Sequence, residues 1–275
     1  MIAIFDSGYG GLTVLKACRE RLPQYNYLYL GDNLRVPYGL RSPETIQQFS
    51  EEALRYFFTK NIPLTVIACN TASAAALPYL QEKYLLAKGI INKKVLGVII
   101  PVAEKAVTLT RNKRIAVVGT RATIHSKTYE KELQKLDPSI RIFAVATPLL
   151  VPLIEEGWHH KPEARSILKK YLAPVKDFAP DTLILGCTHY PMMQDVFEDI
   201  LGPRVHVLDA PRAVADSLAD YLARHPEIES QITKNAHPSK PGTITFTCTD
   251  APERFSEFAQ KFLGGEKVTA EKIQL

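Results

Sequence analysis

The chain has 275 residues, 46% of them hydrophobic and 23% charged, enough to bury a sizeable core in one large domain or two modest ones. Its longest apolar run, residues 95–103, is about half of what a membrane span requires, and the opening "MIAIFDSG" reads as a strand and its loop rather than a signal peptide, so a cytoplasmic protein is expected. The net charge of +5 sits in short groups such as 111–114 and 169–170 without interleaved aromatics, which describes a solvated surface and argues against a nucleic-acid face. The four cysteines form no C-x-x-C pair, so neither a disulfide framework nor a structural zinc site is expected.

Apolar runs alternate with helix-periodic segments along the whole chain, which predicts an α/β fold with mostly parallel strands. Strands are expected at 2–5, 27–30, 64–68, 95–99, 115–118, 140–145, 182–185 and 205–208. After the first strand, Asp6, Ser7, Gly8, Gly10 and Gly11 make a polar, flexible loop, followed by a helix from Leu12. Such a loop suits a tight turn or an anion site equally, and it is neither G-x-G-x-x-G nor a P-loop. "RVPYG" at 35–39 reads as a turn with Tyr38 as a surface aromatic.

Segment 42–61 carries Ser42 as N-cap, Pro43 at the first helical position and Ile46, Phe49, Ala53 and Phe57 on one face. Segments 211–225 and 251–263 also read as amphipathic helices. "GTITFTCTD" alternates Ile244, Phe246 and Cys248 inward and is expected as a half-buried strand.

A weak internal repeat runs through this pattern. "IAIFDSGYGGLTVL" from residue 2 resembles "IAVVGTRATIHSKTY" from residue 115, placing Ser7 opposite Thr120. "LTVIACNTASAAALPYL" at 64–80 resembles "DTLILGCTHYPMMQDVF" at 181–197, and both strands end on a cysteine. Two half-domains related in this way would bring Cys69 and Cys187 to a common crevice from opposite sides, since strand ends of open α/β sheets face such a crevice.

Both cysteines lie at strand-to-helix junctions, where free N–H groups and the helix dipole stabilise a thiolate. Each is followed by hydrogen-bonding residues, Asn70-Thr71 and Thr188-His189. His189 is placed to exchange protons with the Cys187 thiol. Cys18 and Cys248 read as small core hydrophobes.

The ordered motifs "IFDSGYGGL", "GDNLRVPYG", "ACNTAS", "VVGTRATIHSKTY", "VPLIEEGW" and "LGCTHYP" together resemble the glutamate racemases of the cofactor-independent aspartate/glutamate racemase family. The likeness runs from residue 2 to about 210. Aspartate racemases resemble the pattern too, but tend to carry Glu where His189 stands.

The resemblance implies two pseudo-symmetric α/β lobes with the active site in the cleft between them, divided as 1–96 plus 208–275 and 97–207. It implies cofactor-independent interconversion of L- and D-glutamate, supplying D-glutamate for peptidoglycan, with no metal. By position, Cys69 and Cys187 match the catalytic thiols. Asp6, with Asp32 nearby, matches the helper of Cys69, while Glu155, in preference to Glu156, and His189 assist Cys187. Asp6-Ser7, Tyr38-Gly39, Asn70-Thr71 and Thr188-His189 match the substrate-binding pairs, and Thr120 and Thr123 add to the carboxylate grip. The partner expected is a small-molecule substrate, without nucleic acid or membrane; a homodimer is the candidate assembly.

Several rivals share these residues. They are an aspartate or related amino-acid racemase, a cysteine-nucleophile hydrolase using Cys187 and His189, a non-enzymatic amino-acid-binding module, and a metal site of Cys69, Cys187 and His189. The hydrolase leaves Cys69 unexplained, and the binding module gives no reason for paired thiols.

Overall fold

The computed structural model describes residues 1–90, 92–235 and 241–275. In chain order it forms β1 (Ile2–Asp6), α1 (Leu12–Arg21), β2 (Tyr27–Gly31), α2 (Pro43–Thr59), β3 (Leu64–Ile67), α3 (Asn70–Ala75), α4 (Leu77–Leu80) and β4 (Lys94–Gly97). There follow α5 (Ile99–Leu109), β5 (Arg114–Gly119), α6 (Arg121–His125), α7 (Thr128–Leu136), β6 (Arg141–Ala146), α8 (Leu150–Glu155), α9 (Pro162–Phe178), β7 (Thr182–Gly186), α10 (Gln194–Leu201) and β8 (His206–Leu208). The chain closes with α11 (Ala210–Arg224), α12 (Pro226–Glu229), β9 (Ile244–Cys248), α13 (Pro252–Phe262) and β10 (Ala270–Lys272).

Two sheets result, one six-stranded in the order β10-β9-β2-β1-β3-β4 and one four-stranded in the order β6-β5-β7-β8. Every strand pairing within them is parallel. This follows from the strand compositions: β1 and β7 are buried along their whole length, as strands covered on both faces by helices must be. One apolar cluster joins Ile4 and Val66 of the first sheet to Val117 and Ile184 of the second, through Leu15 of α1, Val102 of α5 and Leu218 of α11. Parallel strands put the residues that leave each sheet, Asp6, Asp32 and Cys69 in one and Thr120, Thr147 and Cys187 in the other, at their carboxyl ends, where ligand crevices form.

The structure shifts some expected elements. The apolar run expected as a strand at 95–99 pairs only over Lys94–Gly97, and Ile99 already opens α5, because an apolar run looks the same in a strand and in a buried helix turn. In β9 the alternation breaks: Phe246, Thr247 and Cys248 are all buried and Ile244 is not. Phe246 and Cys248 pack in the cluster that holds Phe255 and Ala259 of α13, and on the other face the Thr247 hydroxyl is satisfied by donating to the Tyr29 carbonyl at 2.8 Å. Short β10 has no apolar pattern of its own; its pairing with β9 builds it.

Helix α2 is capped as expected, Ser42 Oγ accepting from the Thr45 amide at 3.3 Å. Its inner face also carries an acid, Glu51, which the helix period alone does not explain. The Glu51 carboxylate accepts from Tyr84 at 2.7 Å, Tyr79 at 2.8 Å, Lys83 at 2.8 Å and Arg55 at 2.6 Å, pinning α2 to the segment around residues 79–84. Burial alone would raise this carboxyl, but these donors outweigh it and hold it down at about 2. Glu51→Gln should therefore destabilise the fold by about 2 kcal/mol in urea titrations at neutral pH, the scale of lost charge-assisted hydrogen bonds. Because the folded-state value lies below the free one, this stabilisation is present above pH 4.5 and fades as pH falls towards 2. The gap between the wild type and the variant should close over that window.

Candidate active site

Cys69 leaves β3 as the N-cap of α3, its Sγ accepting from the Ala72 amide at 3.4 Å. Its thiol donates to Ser7 Oγ at 3.4 Å, and the residue is only 5% exposed. The thiolate expected from the helix start is opposed here: burial first, then the nearby Asp6, push the thiol up to about 12, against the help of Ser7 and Ala72. Cys69 thus holds its proton at rest.

Cys187 leaves β7 but does not open an α-helix directly. The residues after it run into a 3-10 turn, Tyr190–Met193, before α10 begins. Its Sγ lies 3.9 Å from His189 Nδ1, and His189 Nε2 lies 3.0 Å from Glu155 Oε1. Glu156, the alternative acid, is exposed at the end of α8. Burial drives an imidazole towards neutrality, but at His189 the hydrogen bonds with Cys187 and Glu155 prevail and raise it to about 10. A cation therefore stands beside the Cys187 sulfur at neutral pH.

Asp6 ends β1 completely buried. It accepts from the Gly8 amide at 2.9 Å and from Thr188 Oγ1 at 3.3 Å. Burial raises its carboxyl, with His189 and the amides of Gly8 and Gly11 pulling the other way. The carboxylate bonds to Thr188, the neighbour of Cys187, and makes no hydrogen bond to Cys69; it acts on Cys69 through its charge. The flexible glycine loop is not an open cradle either, since a Cβ at Gly10 would fall 2.3 Å from Thr188 Oγ1 and 2.5 Å from His189 Nδ1. Thr13, at the start of α1, seals this side by donating to the Thr188 carbonyl at 3.0 Å.

The hydroxyls of Thr71, Thr120 and Thr123 form a closed triangle with edges of 2.9, 3.0 and 3.0 Å. Thr71 belongs to α3 behind the six-stranded sheet, and the other two to the turn and helix behind β5, so the triangle ties the ends of both sheets together. Each hydroxyl can donate as well as accept, which suits a carboxylate. Tyr38 is not the surface aromatic expected of a turn: it is 1% exposed, and its hydroxyl donates to Asp32. Asp32 also accepts from Arg35 at 2.6 Å and Thr249 at 2.9 Å, and it holds the 35–39 loop so that Gly39 lies against Thr120. Asp32 thus braces a loop and makes no hydrogen bond to Cys69. Cys18 is fully buried and Cys248 likewise, both within the same apolar cluster. Among the described residues no three His, Cys, Asp or Glu side chains are grouped to hold a metal ion, and no helix is long and apolar enough to cross a membrane.

The sequence signature of the Asp/Glu/Hydantoin racemase family matches residues 12–218. The chain is 40% identical over 275 residues to the glutamate racemase of Syntrophus aciditrophicus, covering 100% of this chain and 96% of the relative. The chain belongs to the Asp/Glu/Hydantoin racemase family. Solved structures agree: glutamate racemase isoform RacE1 of Bacillus anthracis superposes with a TM-score of 0.89 at 34% identity, covering 100% of this chain and 97% of that one. The glutamate racemase of Francisella tularensis, solved in complex with D-glutamate, gives 0.86 at 30% identity over 99% and 97%. The family signature spans both cysteine-bearing strand ends; Asp6 and Ser7 precede it, but lie within the full-length matches.

Two residues around the cysteines escape a reading of the sequence. The Tyr190 hydroxyl lies 2.7 Å from Thr147 Oγ1 and donates to the Thr147 carbonyl at 3.1 Å, fastening the turn after His189 to the end of β6. Tyr129 of α7 donates to Asn70 Oδ1 at 2.7 Å. Tyr129 sits among polar neighbours in sequence and Tyr190 in a His-Tyr-Pro turn, and nothing local marks either as buried.

Proposed function

We propose that this chain interconverts L- and D-glutamate without a cofactor, Cys69 and Cys187 exchanging protons with opposite faces of the α-carbon, and that it supplies D-glutamate for peptidoglycan in the cytoplasm. The observation that carries the reading is the pair of buried thiols at matching strand ends of two sheets, each with its own polar escort. The relatives that match the whole chain are named glutamate racemases, and one of the matching structures holds D-glutamate.

Inverting an α-carbon means taking a proton from one face and returning one to the other, which two fixed groups on opposite walls do without moving. At any instant one sulfur must be thiolate and the other thiol. The raised Cys69 thiol serves as the acid, and the His189 cation stabilises negative charge on the Cys187 sulfur. In the reverse direction the roles exchange. The α-proton is weakly acidic, so negative charge developing at the α-carboxylate must be met by prearranged donors. The Thr71, Thr120 and Thr123 hydroxyls are the groups assigned to that task, while the Asn70 amide grips the carboxylate equally in ground and transition state, in a site that largely excludes water.

The test is incubation with pure L-glutamate, chelator present and no cofactor added, following optical rotation to zero. Glutamate should turn over at least about tenfold better than aspartate in kcat/KM, ~1.4 kcal/mol in transition-state binding. A flat trace at high enzyme concentration refutes racemisation of glutamate, and equal kcat/KM for the two amino acids refutes the specificity.

A further inference from the structure

We propose that Tyr129 is a positioning residue for substrate binding: its hydroxyl locks the Asn70 amide so that the NH2 group faces the cleft as a carboxylate donor. The inference deepens the glutamate-racemase reading and rests on it for the identity of the carboxylate.

Tyr129 is 2% exposed and Asn70 7%, and the two are joined across the site, one behind β5 and the other beside Cys69. Burial keeps the phenol protonated far above neutral pH, reinforced by the charge of Cys187, so at working pH the hydroxyl always has a proton to place. It places that proton on Asn70 Oδ1 at 2.7 Å. Asn70 Nδ2 finds no side-chain or backbone acceptor among the described residues. Turning the amide over would leave the buried O–H without its acceptor, an unfavourable exchange. It would also aim a carbonyl at an incoming carboxylate.

The Tyr129 ring is held as firmly as its hydroxyl. It packs on the end of β7, where a Cβ on Gly186 would come within 3.2 Å of Tyr129 Cε2. One side chain therefore reaches from the residue before Cys187 to the residue after Cys69. It sets the donor that grips the substrate relative to both thiols.

Tyr129→Phe keeps the ring and removes only the hydroxyl. KM for L- and D-glutamate should rise about tenfold alike, the carboxylate being common to both, while kcat changes less than about twofold. Adding Tyr129→Phe to Asn70→Ala should raise KM no further, because the residue it positions is already gone. An unchanged KM, a fall confined to kcat, or additive effects in the double variant would overturn the proposal. A substrate-free reading is independent of the reaction: the Asn70 side-chain amide resonances of 15N-labelled protein should shift and broaden in Tyr129→Phe. Unchanged resonances also overturn it. If the wild type leaves glutamate unaltered, the functional reading fails by itself, and these resonances still decide whether Tyr129 positions Asn70.

Discussion

Cys69→Ala and Cys187→Ala should each lower kcat/KM for glutamate racemisation by about a thousandfold or more, ~4 kcal/mol in the barrier. Each substitution removes one half of the proton path, and nothing else within reach of either sulfur is placed to replace it. At Cys69 the thiol contacts Ser7 and the Ala72 amide, neither of which is a base at neutral pH. At Cys187 the nearest titratable group is His189, whose second nitrogen is committed to Glu155. L- and D-glutamate have equal free energy in water, so kcat/KM must fall equally in both directions whichever thiol is lost. The asymmetry appears elsewhere. The surviving thiol still reaches the α-proton of one enantiomer, so Cys69→Ala should exchange that proton with solvent in one isomer and Cys187→Ala in the other. Circular dichroism of both variants should match the wild type. If either variant still racemises at more than about a tenth of the wild-type rate, its sulfur is not a proton carrier.

His189→Asn should lower kcat/KM by about a hundredfold, within the range of a lost general acid–base partner. Asparagine fills similar space but cannot carry charge beside the Cys187 sulfur. The wild type should show an alkaline limb in its pH–rate profile near pH 10, where His189 loses its second proton, and the variant should lack it. Stability gives an independent sign. The folded-state value of about 10 lies above the free value of 6.5, so the imidazolium's stabilising contribution is complete below pH 6.5. It is lost as pH rises through about 10. Denaturation at pH 6, 8 and 10 should show the wild type losing its advantage over His189→Asn across that interval. The same alkaline limb in both proteins would remove His189 from the mechanism.

Much of this architecture is legible in the sequence because parallel strands are buried on both faces and read as plain apolar runs. The runs at 2–5, 27–30 and 182–185 lie within β1, β2 and β7. The weak internal repeat corresponds to the two sheets, each with a cysteine leaving the strand next to one edge strand, β3 beside β4 and β7 beside β8. What stays hidden depends on distant partners. Tyr38 sits in a Pro-Tyr-Gly turn and looks exposed until Asp32 is seen to receive its hydroxyl. Glu51 looks like a solvated helix residue until four donors from 28 or more positions away, or one turn on, converge upon it. Tyr129 lies in "SKTYEKE", which has the look of a surface helix, until its ring is seen to pack on the end of β7 and its hydroxyl to reach Asn70. The tie of Asp6 to Thr188, 182 positions away, is equally invisible locally, and it links Asp6 to the Cys187 side where the family resemblance points to Cys69.

The central claim is that two thiols serve the two faces of the α-carbon, and isotope incorporation at low conversion tests it most directly. In deuterated water with L-glutamate as substrate, the thiol that takes the α-proton is buried and exchanges slowly, while the opposing thiol already carries deuterium. Newly formed D-glutamate should then be deuterated at the α-carbon and the recovered L-glutamate should stay protiated, with the mirror result from D-glutamate. Substantial protiated product at low conversion would mean that one base returns the proton it removed, and the two-thiol account would be wrong.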